Sequence, residues 1–159
     1  MEKWIYSFNK SIDEIENPSE LLGNKGAGLN LMTGLDLPVP QGFTILTKLN
    51  HYFQKNKSFP DEFENELIKN IFNLEKKSNC KFGSSTNPLL LSVRSGSQKS
   101  MPGMLDTILN IGFNRKVLEF YEKQNKPLFA WDTWRRFLHM FSHVVYKICL
   151  LYTSDAADD

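Results

Sequence analysis

The sequence is poor in cysteine and lacks any long apolar run. Its two cysteines, Cys80 and Cys149, fit no metal-ligand spacing and cannot build the disulfide framework of a small secreted domain. No apolar run approaches the ~18 residues that a membrane-spanning helix requires. The first residues, MEKWIYSFNK, also lack the apolar core of a signal peptide. We therefore expect a cytoplasmic protein without a membrane partner.

An excess of charge of either sign is absent as well. The 19 Lys and Arg residues nearly balance the 18 Asp and Glu residues, which leaves a formal net charge of +1. This balance gives no electrostatic case for nucleic acid or an anionic membrane as the main partner. Repeats and low-complexity segments are also absent. What remains is a chain of 159 residues that is 41% hydrophobic, the composition of a soluble globular domain or of a piece of a larger one.

Local patterns predict short strands in the first part of the chain. Residues 4–8 alternate bulky apolar and polar side chains, and residues 42–45 follow a turn bracketed by prolines. The continuous apolar run at residues 89–93 follows the turn signal TNP and predicts a buried strand.

The clearest helix is predicted for FPDEFENELIKNIFNLEKK, with Pro60 in its first turn. Acidic residues begin this segment and Lys76 and Lys77 end it, as the helix dipole favours. Its apolar stripe comprises Phe63, Leu67, Ile71 and Leu74, with Ile68 and Phe72 beside them.

Two further helices are predicted, at RKVLEFYEK and in a longer run from Asp132. The run keeps helical spacing through Phe137, Leu138, Phe141, Val144, Val145 and Ile148. The last eleven residues, CLLYTSDAADD, resemble the translation of a sequencing adapter, although a frayed acidic terminus is the alternative. We therefore expect the native part of this chain to run to Ile148, where a helix that is still apolar is cut without a glycine or asparagine cap, as in a truncated sequence.

The few strands and grouped helices predict an α+β fold. The expected division is residues 1–112 for a mixed sheet with helices, 113–148 for the start of a helical subdomain and 149–159 for the tail.

The segment GNKGAG is a candidate phosphate-binding turn. Its glycines flank Lys25 just before a helical segment, so that backbone N–H groups and one ammonium group converge on an anion. The spacing fits neither the Walker A loop nor the dinucleotide fingerprint. A plain turn followed by a helix, with Lys25 in solvent, explains the segment as well.

A second candidate site follows the strand at residues 89–93. If that strand is buried, Arg94 emerges at its carboxyl end and requires an anion. A structural salt bridge to Asp or Glu is the alternative. The loop behind Arg94 favours an anion clamp because it supplies hydroxyl groups, bare backbone and a second cation, from Ser95, Gly96, Ser97, Lys99, Ser100 and Gly103.

Three long blocks resemble the N-terminal nucleotide-binding domain of the pyruvate, phosphate dikinases. They are LLGNKGAGLNLMTGLDLPVPQGFTI, NPLLLSVRSGSQKSMPGMLDTILNIGFN and FAWDTWRRFLHMFSHVV. The resemblance runs from about Trp4 to Ile148. The related phosphoenolpyruvate synthases share the lysine and arginine positions, but the SMPGM loop favours the dikinases.

The resemblance implies an ATP-grasp fold, here incomplete, and a phosphotransferase mechanism. In the family, the β-phosphoryl group of ATP passes to a histidine on a separate domain, with inorganic phosphate as co-substrate. A (β/α)8 barrel then transfers it to pyruvate, which gives phosphoenolpyruvate, AMP and pyrophosphate. The Mg²⁺ ligands and the phosphorylated histidine are expected beyond this chain, and the parent enzyme is expected to be a homo-oligomer.

By the same resemblance, Lys25, Arg94 and Arg136 hold the ATP phosphates and stabilise charge on the transferring group. Arg135 is the weaker choice beside Arg136, and a surface cation is the alternative for either. The nucleotide contacts are completed by Gly26, Ser95, Gly96, Ser100 and Gly103.

No metal ligand is assigned in this chain. His139 and His143 have helical i, i+4 spacing, but HMFSH lacks the glutamate and third ligand of a catalytic zinc site. The chain alone is expected to be inactive and to bind ATP weakly or undetectably. A genuine short nucleotide-binding or regulatory module is the competing hypothesis.

Overall fold

The computed structural model describes residues 2–8, 17–96 and 107–148, which form a mixed α+β structure. This confirms the predicted class. The helices are α1 (Pro18–Gly34), α2 (Thr47–Asn56), α3 (Asp61–Ser78), α4 (Arg115–Lys123) and α5 (Pro127–Tyr146). The strands are β1 (Ile5–Ser7), β2 (Phe43–Ile45), β3 (Lys81–Phe82), β4 (Pro88–Leu89), β5 (Leu91–Arg94) and β6 (Thr107–Ile111).

The chain divides into two compact units. Unit 1 comprises Met1–Phe82 and Ser95–Leu105, and unit 2 comprises Gly83–Arg94 and Asp106–Asp159. The chain therefore leaves unit 1 after Phe82, returns to it at Ser95 and leaves it again after Leu105. The division into functional domains at residues 112 and 148 stays a prediction.

In unit 1, helices pack against apolar side chains of the antiparallel pair β1–β2. Ile5 lies opposite Ile45 in this pair. One core cluster is formed by Trp4, Ile5, Leu49 and Phe63. Helix α3 also holds β1 through Glu66, whose carboxylate accepts the backbone N–H groups of Trp4 at 2.9 Å and Ile5 at 3.2 Å. Because these hydrogen bonds involve a charged acceptor, they are stronger than neutral ones.

Unit 1 also buries an unpaired amide. Asn30 on α1 is 1% exposed, and neither its Nδ2 nor its Oδ1 has a hydrogen-bond partner in the described part of the chain. A buried amide without partners costs free energy of folding.

In unit 2, β5 and β6 form an antiparallel pair in which Arg94 lies opposite Thr107. Helix α4 begins at an Asn114 cap, whose side-chain Oδ1 accepts the Val117 N–H at 3.0 Å. The core of this unit comprises Phe113, Val117, Leu118 and Ala130. Helices α4 and α5 thus bury their apolar faces against each other and beside β6.

Several local predictions differ from the structure. Helix α2 was not predicted, since its first residue follows Leu46, which offers no capping side chain. Pro60 precedes α3 as its cap residue rather than lying in its first turn. Ile68 and Phe72 are 58% and 51% exposed, so they lie outside the stripe that packs.

The end of α5 also differs from the prediction. The helix begins at Pro127, before Asp132, and ends at Tyr146, so Ile148 lies outside it. Lys147 caps the helix in the left-handed conformation, with φ of 55°, and the Ile148 N–H donates to the Ser142 carbonyl at 3.2 Å. A left-handed cap therefore forms without glycine or asparagine.

Candidate phosphate-binding residues

The glycine segment GNKGAG lies within the range of α1, where Gly23 separates two helical segments and the residues after it begin the second. Gly23 interrupts the helix with φ of 70° and ψ of 163°, and helical dihedral angles resume at Asn24. This backbone conformation is essentially restricted to glycine. Lys25, which is half-buried, therefore follows directly behind a break that only glycine tolerates.

Gly26 has a steric reason to be glycine. A Cβ atom at this position would lie 2.9 Å from Thr44 Oγ1 and 3.0 Å from the Leu22 Cβ. Helix α1 approaches β2 closely at this point because residue 26 has no side chain. A Cβ on Gly28, by contrast, would meet nothing within 4 Å. The packing need was not apparent from the sequence, since both glycines belong to the same motif.

The start of the second loop lies beside the break in α1. A Cβ on Gly96 would lie 4.0 Å from the Leu22 carbonyl oxygen, and both residues belong to unit 1. Ser95 and Gly96 are exposed. The structure thus brings Gly96 close to the backbone next to Gly23. Ser100 and Gly103 lie outside the described residues, as do Ser97 and Lys99.

Arg94 ends β5 in unit 2, and the strand it ends is not buried as predicted. Ser92, Val93 and Arg94 are all exposed. A two-stranded pair leaves one face without a covering layer, which explains why apolar Val93 is 49% exposed. The argument from an unpaired buried charge therefore does not apply to Arg94. The alternative, a structural salt bridge, is not found among the residues that the structure describes.

Arg135 and Arg136 on α5 share one carboxylate. Arg135 Nη2 donates to Asp132 Oδ1 at 2.9 Å, and Arg136 Nε lies 2.7 Å from Asp132 Oδ2. The two arginines are largely accessible, with Arg136 67% exposed, whereas Asp132 is 46% exposed. Asp132 was not among the residues predicted for the site, although its i, i+3 and i, i+4 spacing to the arginines is a signal for such pairs.

The two arginines favour the ionised form of Asp132. The hydrogen bond from Arg135, together with the charge and hydrogen bond of Arg136, lowers the pKa of Asp132 below the ordinary value of 3.8. Both interactions favour the charged form of the carboxyl group. Asp132 therefore stays ionised further into the acidic range than a free aspartate.

The histidines form no metal site in the described ranges. His51 lies on α2, and His139 and His143 lie on α5. Within residues 2–8, 17–96 and 107–148, no three His, Cys, Asp or Glu side chains come together to hold a metal ion. In the same ranges, none of the helices has the length and apolar character needed to cross a membrane.

The chain is similar in sequence to known dikinases. It is 51% identical over 152 residues to pyruvate, phosphate dikinase of Rickettsia prowazekii (strain Madrid E), and 43% identical over 150 residues to that of Clostridium symbiosum. The match to the protein of the same name from Entamoeba histolytica is 47% over 146 residues. The resemblance to pyruvate, phosphate dikinase is confirmed. No protein-family model matches the chain.

The alignments cover nearly all of this chain but only a small part of each relative. The alignments to the Rickettsia prowazekii and Clostridium symbiosum dikinases cover 93% of this chain and 17% of each relative. The chain thus spans about one sixth of the length of the curated relatives it matches. It is homologous to a segment of pyruvate, phosphate dikinase, a phosphotransferase.

Proposed function

We propose that this chain is the N-terminal ATP-binding part of a pyruvate, phosphate dikinase with an ATP-grasp nucleotide-binding domain. The observation that carries the proposal is the 43–51% identity, over 93% of the chain, to relatives that all bear this name. The parent enzyme would convert ATP, phosphate and pyruvate to AMP, pyrophosphate and phosphoenolpyruvate through a phosphohistidine outside this chain. A phosphoenolpyruvate synthase is the less favoured parent, since none of the relatives cited bears that name.

In unit 1, Lys25 and the backbone around Gly96 are proposed to contact the nucleotide phosphates. The break at Gly23 sets the direction in which the chain enters the helical segment that carries Lys25. Gly96 lies near Leu22 of α1, since a Cβ at Gly96 would be 4.0 Å from the Leu22 carbonyl oxygen. An ammonium group and backbone N–H groups suit a phosphate because they place positive charge near its oxygens.

In unit 2, Arg94 and Arg136 are proposed to supply guanidinium groups to the phosphates. Both are exposed, so each is accessible to a ligand without unfolding its strand or helix. Their proposed role is electrostatic, since phosphoryl transfer depends largely on positioning and on stabilising the charge of the transferring group. Ser95, Ser100 and Gly103 complete the proposed contacts, and Gly26 acts through packing as well as through its backbone.

We propose that the Mg²⁺ ligands of the parent enzyme lie outside this chain. The described acidic residues gather into no set that fits Mg²⁺, which is usually held by carboxylates together with substrate phosphates. Without the phosphorylated histidine and the pyruvate site, the chain alone is expected to have no dikinase activity.

The first test is the DNA sequence of the source beyond the codon for Ile148. A frame that continues into acidic metal ligands, a histidine domain and a barrel supports a parent dikinase. A stop codon directly after CLLYTSDAADD contradicts it.

The second test measures ATP binding to the 159-residue chain by isothermal titration and by amide NMR shifts. We expect weak binding at most, with shifts near Lys25 and Gly96 at millimolar ATP. Lys25→Gln should remove these shifts, whereas Lys48→Gln should not. Lys48 is a matched control because it is also in unit 1 and pairs with Glu2 at 2.9 Å. Micromolar, magnesium-dependent affinity would instead favour a short nucleotide-binding module.

A further inference from the structure

Asp132 contacts a different nitrogen atom in each of its two arginine neighbours. It engages Arg135 through the terminal nitrogen Nη2, at 2.9 Å, and Arg136 through Nε, at 2.7 Å. Arg135 therefore uses part of its terminal edge within the protein. Arg136, by contrast, contacts Asp132 through Nε rather than through a terminal nitrogen.

This difference matters for binding an oxyanion. A guanidinium group binds carboxylate or phosphate most effectively through two parallel N–H groups of one edge. Contact through Nε favours an orientation of the Arg136 guanidinium group in which the Nη1–Nη2 edge can meet a second anion. An arginine whose orientation is already fixed loses less conformational entropy when it binds.

The helix supplies the geometry for this arrangement. Positions i, i+3 and i+4 lie on one face of a helix, so Asp132 reaches both arginines at once. The neighbouring positions Ala130 and Thr133 are buried, which anchors α5 next to the cluster. The three charged side chains are therefore presented from a fixed backbone.

We propose that Asp132 is a positioning residue that holds Arg136 by its Nε, so that the terminal edge of Arg136 binds a phosphate group, while Arg135 serves as the second partner of Asp132. This inference rests on the proposed function, since it assumes that Arg136 meets a phosphate. It adds a specific role for a carboxylate next to an anion site.

The test uses the sign of the effect on phosphate binding. Asp132→Asn removes a negative charge next to two arginines, so simple electrostatics predicts tighter binding of an anion. Loss of positioning predicts weaker binding. The Arg136 Nε–Hε signal in NMR spectra of the 159-residue chain would be followed during titration with inorganic phosphate, at constant ionic strength to hold screening fixed.

A matched control is available in the same unit. Glu119 pairs with Arg115 at 3.7 Å with i, i+4 spacing on α4. Glu119→Gln removes the same charge from an arginine pair without contacting Asp132, and should leave the phosphate titration unchanged. Asp132→Glu keeps the charge but moves the carboxylate, and should weaken binding as well.

We expect a phosphate-dependent shift of the Arg136 signal in the unaltered chain and about threefold weaker binding in Asp132→Asn. Equal or tighter binding in that variant would overturn the positioning role while leaving Arg136 as a phosphate ligand. An Arg136 signal that does not respond to phosphate in the unaltered chain would overturn the proposed role of Arg136 itself, and the role of Asp132 with it.

Discussion

The two units carry their candidate phosphate-binding residues in opposite ways. In unit 1, the motif is built from close packing, because Gly23 has a backbone that only glycine tolerates and Gly26 leaves no space for a side chain. In unit 2, the residues are exposed cations, Arg94 at a strand end and Arg136 on a helix surface. The glycine motif of unit 1 therefore depends on steric fit, whereas the arginines of unit 2 contribute charge. Substitutions of the unit 1 glycines should therefore change stability, and those of the unit 2 arginines should change binding.

The largest expected effect is that of Gly26→Val. Its Cβ would meet Thr44 and Leu22 at 2.9–3.0 Å, and a branched side chain adds further overlap. We expect a loss of about 2–3 kcal/mol in the free energy of unfolding, measured by urea denaturation.

Gly28→Ala is the control for this substitution, since it lies on the same helix with nothing within 4 Å of its Cβ. It should stabilise the chain by up to about 1 kcal/mol through helix propensity. Equal effects at the two positions would break the distinction between a packing glycine and a free one.

The second effect is a gain of stability from Asn30→Ala. This change removes a buried amide whose Nδ2 and Oδ1 lack partners in the described residues. We expect about 1–2 kcal/mol of added stability, again from urea denaturation, because the unmet desolvation cost disappears. Asn30→Asp should instead destabilise the chain, since it buries a charge. A loss of stability with alanine would show that the amide is satisfied in solution.

Stability should change little when the arginines of unit 2 are altered. Arg94→Gln and Arg136→Gln each remove an exposed cation, so the free energy of unfolding should stay within about 0.5 kcal/mol. Phosphate-induced NMR shifts should nevertheless decrease in Arg136→Gln. A large loss of stability in either variant would mean that these arginines stabilise the fold of unit 2, as the glycines do in unit 1.

The smallest effect concerns pH. Since arginine contacts lower the pKa of Asp132, the interaction contributes fully above the ordinary pKa of 3.8 and is lost as pH falls through the lowered value. Arg135→Gln should therefore raise the pKa of Asp132, measured by carboxyl NMR titration. Arg115→Gln, which alters the separate pair on α4, should leave that pKa unchanged.

Sequence patterns predicted the elements in which independent signals agree. Helix α3 combines an apolar period with acidic residues at its start and lysines at its end, and it was predicted closely. Helix α2 lacks a capping signal and was missed. The run at residues 89–93 is apolar enough for a buried strand, but burial depends on what packs against a strand, which the strand's own residues do not encode.

For the candidate site, too, the sequence indicated what lies within one segment but not what depends on contacts with another element. Lys25 and Arg94 were predicted as phosphate ligands from their glycine-containing surroundings, and that role stays a prediction. The sequence did not distinguish Gly26 from Gly28, because the difference arises from Thr44 on another element. Asp132 was not predicted for the site, although its i, i+3 and i, i+4 spacing to the two arginines is typical of helical ion pairs.

The path of the chain between the two units has a consequence for inheritance. Because the chain leaves unit 1 after Phe82, returns at Ser95 and departs again after Leu105, neither unit is encoded by one uninterrupted stretch of gene. A single recombination event therefore cannot exchange one unit for a foreign counterpart without dividing the other. An exchange of one whole unit would instead require breakpoints after Phe82, before Ser95 and after Leu105.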